Sequence, residues 1–208
     1  MILKKSKNTL KRWKQYGKIS GVGAITRRYF VMNAFDGALT MLGVVIGAYI
    51  AGSLNSIVII SAGIAGSIAM GASGMSGAYM AEKAERAKKI KDLEKALLRD
   101  MDKDSLQKKS HNFATFFAAI VDGLSPALAA MVVISPFFVA NFGLITIEIA
   151  YYGTIFLTLL VLTLLGIYLA KISDESMLKY GIQMLIVGLI TALLCVATSV
   201  LLGGNIAA

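Results

Sequence analysis

VMNAFDGALTMLGVVIGAYIAG, residues 31–52, is apolar enough to cross a bilayer as a helix, yet it carries one carboxylate, Asp36. About 20 such residues span a hydrocarbon core. An ionised Asp near the middle of a membrane helix costs roughly 2.5–3.5 kcal/mol on insertion scales, so such acids face a bundle interior or a watery cavity. Asp36 is therefore a candidate functional residue. The alternative is an acid near the headgroups, paired with Arg27 or Arg28.

Working outward, four more apolar runs complete a set of spans over 29–52, 56–80, 113–140, 146–170 and 180–203. A hydrophobic content of 57% in 208 residues, with a mean hydropathy of +0.72, excludes an ordinary soluble domain. The 21 Lys and Arg fall in three places: before Tyr29, between Ala81 and His111, and at Lys171 and Lys179. The connections around Ser53 and Asn141 contain none. By the positive-inside tendency the N-terminus, the 81–111 loop and the 171–179 turn are cytoplasmic and the C-terminus is external. The expected fold is an all-α integral membrane protein with five transmembrane helices and an amphipathic cytoplasmic helix between the second and third. The organisation is a basic arm at 1–28, two helices over 29–80, the cytoplasmic loop 81–111, and three helices over 112–208. With no sorting signal, the plasma membrane is the expected location. The formal charge of +9 belongs to segments facing anionic headgroups, and no nucleic-acid partner is implied.

The basic arm, with Leu3, Leu10, Trp13 and Tyr16 among its cations, reads as an interfacial segment. Asp36, Thr40, Gly43 and Gly47 share a helix face, and Gly43 and Gly47 form a GxxxG that permits close helix approach, within the chain or to a second copy. Gly63, Ser67 and Gly71 repeat the device, with Met70 and Met75 nearby. In the loop, Ile90, Leu93, Leu97 and Met101 mark an apolar helical stripe. Glu82 and Glu85 share a face at the mouth of the second span and can collect divalent cations; alternatively they pair with Arg86, Lys88 and Lys89. Asp100, Asp102 and Asp104 resemble the start of a calcium loop, but Ser105 and His111 stand where its turn glycine and bidentate Glu belong.

The third span carries the second acid, Asp122, four residues before Pro126. Proline has no N–H, so the carbonyl of Asp122 loses its helical partner. Broken membrane helices place such carbonyls around cation sites, and the alternative is a simple kink. Asp36-Gly37 and Asp122-Gly123 sit at similar distances inside their spans, which hints at a parallel repeat. The sharpest expectation is that these two acids face each other and share one cation or proton, because neighbouring carboxylates cannot both ionise cheaply. Glu148 reads as interfacial, Tyr151 and Tyr152 suit the outer interface, and Cys195 reads as a small packing residue.

Asp36-Gly37-Ala38-Leu39-Thr40 with Gly43 and Gly47, then Ser61-Ala62-Gly63-Ile64-Ala65, then Ser73, Gly77, Tyr79, Lys83 and Glu85, together resemble the first two helices of the vacuolar iron transporter family. The run Lys179-Tyr180-Gly181-Ile182-Gln183-Met184-Leu185-Ile186-Val187-Gly188 resembles that family's last helix. Five spans with a cytoplasmic loop after the second match its layout, and the chain reads as a divergent prokaryotic-type member.

The resemblance implies a transporter, not an enzyme. It would move Fe²⁺ or Mn²⁺ out of the cytoplasm in exchange for protons, as a homodimer, with no bound cofactor. Asp36 falls on the family's first-helix metal-path acid, and Glu82 and Glu85 fall where its cytoplasmic acidic helix begins. Three positions depart from the pattern: Gly66 replaces a glutamate, Gly74 replaces a metal-path methionine, and Asp122 replaces a small residue. The expected metal set is accordingly Asp36, Asp122, Glu82 and Glu85, with Met70 or Met75 offering a replacement thioether. Two other classes fit part of the pattern, an intramembrane enzyme using paired aspartates and a membrane scaffold that transports nothing.

Overall fold

In the computed structural model, which describes residues 12–53, 55–100, 102 and 105–203, the apolar runs are helical throughout. Leu3, Leu10, Met101 and Asp104 lie outside the described residues. Five helices are long and apolar enough to cross a membrane among those described: α1 (Val22–Ile50), α2 (Ser56–Leu97), α3 (Leu106–Asn141), α4 (Ile147–Ile172) and α5 (Met177–Leu201). The chain is an all-α membrane protein. The amphipathic segment expected between the second and third spans is continuous with the second. At 42 residues α2 runs about 63 Å, roughly twice the thickness of a hydrocarbon core.

The helix ends follow from local chemistry. Gly52 takes a left-handed φ of +73° after α1, its N–H bonds the Tyr49 carbonyl, and the Ser53 N–H reaches back to Ala48. Gly143 repeats this arrangement after α3. Thr146 and Ser176 cap α4 and α5 with side-chain oxygens that accept from the backbone N–H three residues on. At the end of α2 the same left-handed cap falls on Leu98, with φ +49°.

Pro126 and Pro136 both lie inside α3, which is unbroken. The break expected at Pro126 is absent. At Pro136 the freed carbonyl is that of Val132, and it accepts a 2.7 Å bond from the Ser135 hydroxyl. The backbone carbonyl of Asp122, four residues before Pro126, packs close to Gly74, described below.

The described residues fall into two compact units. One holds Met1–Phe30 and Gly71–Leu124. In it Val22, Ile25 and Tyr29 of α1 pack on Phe113, Ala114 and Ala118 of α3. Residues 12–20 are helical, and Trp13 and Tyr16 stack against Phe113 with centroids 6.0 and 5.9 Å away. Residues 12–20 thus pack on a protein surface.

The other unit holds Val31–Met70 and Ser125–Ala208, and α1 is its centre. One side of α1, with Ala34, Ala38 and Met41, packs on Ala130, Val133 and Ile134 of α3 and Leu162 of α4. Leu42, Ile46 and Ile50 meet Ile155, Ala192 and Cys195 on α4 and α5. Tyr151, expected at the interface, is 2% exposed: its ring meets Tyr49 and Phe137 edge-on and its hydroxyl donates to the Ser53 carbonyl at 2.6 Å. Its neighbour Tyr152 is the exposed one of the pair. Burying the ring is cheap once the hydroxyl has an acceptor.

Candidate functional site

Asp36 stands on the outer face of α1. Met32, Asp36 and Thr40 are all exposed, one helical turn apart, while Ala34, Gly37 and Ala38 beside them are buried. Among the described residues the Asp36 carboxylate makes no hydrogen bond and no ion pair, so the pairing with Arg27 or Arg28 does not occur. The following residue explains the orientation. A Cβ on Gly37 would stand 2.6 Å from Pro126 Cα and 2.8 Å from its carbonyl carbon. Only glycine lets the α1 and α3 backbones touch here, and that contact turns the preceding side chain outward.

The glycines expected to mediate close approach behave differently. Gly43 meets only the Cys195 sulfur at an ordinary 3.5 Å, and Gly47 has nothing within 4 Å of its would-be Cβ. In the second span, Gly63 does make a tight contact, 2.6 Å from Ile134 Cδ1. A side chain at Gly66 would meet the Met41 methyl at 3.3 Å.

Asp122 belongs to the other unit and is buried. A Cβ on Gly74 would lie 2.9 Å from Asp122 Oδ2 and 3.2 Å from its backbone oxygen, so the acid and its backbone carbonyl both pack on a glycine. Next to it, a Cβ on Gly123 would meet the Gly71 carbonyl at 2.5 Å and Met75 Cβ at 2.9 Å. Two departures from the family pattern, Gly74 and Asp122, are therefore neighbours: the space that a residue at 74 would fill is taken by the Asp122 carboxylate. Met75 is partly exposed beside this contact. Met70 is half-buried against the core around Met41 and Ala130.

Glu82 and Glu85 part company. Glu82 is 4% exposed and doubly held: Arg86 Nε donates to its Oε2 at 2.9 Å and the Tyr29 hydroxyl donates to its Oε1 at 3.0 Å. Glu85 is exposed and bonded to Lys89 at 2.8 Å, and that ammonium holds its carboxyl below the ordinary carboxylate value. Both are in ion pairs, as the alternative reading of this stretch had them. Among the described residues no group of three or more His, Cys, Asp and Glu side chains is arranged to hold a metal ion.

A buried polar row that the sequence did not announce completes the picture. Ala78, Glu82 and Arg86 form the buried face of α2 beyond its apolar part, while Leu93 and Leu97 of the expected apolar stripe are exposed. Opposite lie Ser110, His111 and Thr115 of α3, all buried. An i,i+4 acid–base pair can be buried because each charge supplies the other's partner, whereas removing one partner of such a pair costs about 3–5 kcal/mol. Equal spacing of Glu82 and Arg86 was the available signal.

The VIT family's sequence model matches residues 87–200. An uncharacterized protein of Methanocaldococcus jannaschii is 38% identical over 171 residues, which cover 81% of this chain and 85% of that protein. With five membrane-crossing helices already in place, these matches show that the chain belongs to the VIT family and is a membrane transporter of divalent metal ions.

Proposed function

We propose that the protein exports Fe²⁺ or Mn²⁺ from the cytoplasm across the plasma membrane in exchange for protons, and that it does so as a homodimer. The observation that carries this reading is the position of Asp36, a carboxylate within an apolar span that points away from its own chain. Left against lipid, it would cost several kcal/mol. A second copy laid over Met32, Asp36 and Thr40 would remove that cost and bring two carboxylates to one axis, where a divalent cation neutralises both. Gly47, open on the same helix, leaves room for the approach.

Asp122 is the second candidate acid, and Met70 and Met75 are the candidate thioethers on α2. Carboxylates with an occasional thioether suit Fe²⁺ and Mn²⁺. Loss of a proton from an acid as the metal arrives gives the exchange its chemistry. Glu82 and Glu85 would take part at the entrance only by giving up Arg86 and Lys89. The distribution of Lys and Arg supports a cytoplasmic N-terminus and 81–111 segment and an external C-terminus. Labelling of cysteines placed at Ser105 and Asn205 from opposite sides tests that arrangement.

The deciding experiment is metal flux in proteoliposomes. Wild-type protein should move Mn²⁺ and Fe²⁺ under an imposed pH gradient, Asp36→Ala should abolish flux in a folded protein, and Asp122→Asn should flatten its pH dependence. Wild-type liposomes inert to both metals under either gradient would remove the reading.

A further inference from the structure

We propose that the polar end of α2 and α3 holds a binding site for a phosphate-type oxyanion, carried either by an anionic phospholipid headgroup or by a soluble phosphate. The site is a cavity of about 360 Å³ lined by Lys83, Arg86, Lys108, His111, Asn112 and Thr115, together with Ala87 and Ile90. It does not rest on the transport reading.

Two of the residues that line it, Arg86 and His111, carry buried nitrogens without hydrogen-bond partners among the described residues. Arg86 spends Nε on Glu82, and its Nη2 is buried with no hydrogen bond among the described residues. His111 Nδ1 is in the same state, while its Nε2 lies 3.4 Å from Gln107 Nε2. Both side chains belong to residues more than nine-tenths buried. Leaving a buried polar group unmade is costly, and a guanidinium holds its donors in a fixed fork that fits tetrahedral oxyanions.

The electrostatics select the sign of the ligand. Among the described residues no carboxylate lines the cavity. Two acids beside its lining residues are engaged, Glu82 with Arg86 and Tyr29, and Glu94 with Lys108 at 2.9 Å. Burial, then the charges of Arg86 and Lys89, push His111 below its ordinary value, which marks the positive potential around the ring. Arg86 and His111 both also border a second cavity, which contains Lys89 and Asp92. A cation would meet repulsion in the first cavity. A phosphate oxygen would find the Arg86 guanidinium, the Lys83 ammonium and the Asn112 amide, with Lys108, paired to Glu94, beside them. The location suits a headgroup, because the cavity lies just beyond the apolar parts of α2 and α3, where basic pockets between membrane helices take up anionic lipid heads.

His111 is the only histidine in the chain, so ¹³C-histidine labelling of the full-length protein gives a single reporter. The protein is titrated in phosphatidylcholine nanodiscs, in the same discs with added inorganic phosphate, and in discs containing phosphatidylglycerol. An occupied site should move the His111 titration upward, with about tenfold tighter binding to the protonated ring for each pH unit of movement. A saturable movement with inorganic phosphate identifies a soluble ligand, and movement with phosphatidylglycerol alone identifies the lipid headgroup. Arg86→Gln strands buried Glu82 and Lys108→Gln strands Glu94, so Lys83→Gln is the informative variant and should lose a large part of the movement. Equal movement in that variant would be the general surface potential of an anionic bilayer and would overturn the proposal. So would a wild-type titration indifferent to both additions.

Discussion

Gly37→Ala is the most demanding test of how α1 is seated. The added Cβ would stand 2.6 Å from Pro126 Cα and 2.8 Å from its carbonyl carbon, and closer still to the carbonyl oxygen, where ordinary contact begins near 3.4 Å. These are backbone atoms of a proline in mid-helix, so no rotamer change relieves the clash. The two helices must part by about 0.8 Å or more at this crossing, and a gap of 0.5–1 Å forfeits roughly a quarter to a half of each dispersion well there. Overpacked cores lose about 1–3 kcal/mol, and an immovable neighbour puts this site at the top of that range, about 3 kcal/mol. Gly47→Ala is the internal control, because nothing lies within 4 Å of its would-be Cβ. Reversible unfolding of both variants in mixed micelles should separate them by roughly two orders of magnitude in the folding equilibrium. Equal stabilities would refute the backbone contact, and with it the reason given for the outward direction of Asp36.

Gly74→Ala should destabilise by about 1–2 kcal/mol through its clash with Asp122, and in a double-mutant cycle Asp122→Ala should recover much of that loss; strict additivity would mean that the two do not touch. Leu98→Gly should stabilise by about 0.5–1 kcal/mol by relieving the left-handed conformation at φ +49°, read as a higher unfolding midpoint with an unchanged helix content. His111 has a depressed value in the folded chain, so its contribution is fully present above the ordinary value of about 6.5 and is lost as pH falls through the folded one. Stability should thus decline from pH 7.5 to 5.5, and His111→Gln should remove that slope; an undiminished slope would assign it elsewhere.

The existence of the five spans and the division between charged and apolar segments were legible in the chain itself, whereas the polar extensions of the first three helices were not. Apolar runs of bilayer length admit one backbone solution, because a helix is the only open segment that satisfies its own polar groups in lipid. Gly52, Gly143, Thr146 and Ser176 mark the ends by their own conformational preferences. The family could also be recognised from short motifs around Asp36 and Lys179. The side each helix turns inward could not be read this way. In water an apolar stripe identifies the buried face, but in a membrane both the core and the surroundings are apolar, so periodicity loses its meaning. Among 20 glycines, Gly37, Gly74 and Gly123 are backbone contacts while Gly47 is open, and nothing in their spacing separates them. Glu82 and Arg86 read as a solvated pair because each is charged, yet together with Tyr29 they neutralise and hydrogen-bond one another well enough to be buried. Pro126 reads as a break, yet α3 runs through it, with Gly74 packed close to the Asp122 carbonyl. Residue chemistry determined where helices form; complementary surfaces on distant segments decided which residues those helices bring together, because packing energy depends on the partner as much as on the residue.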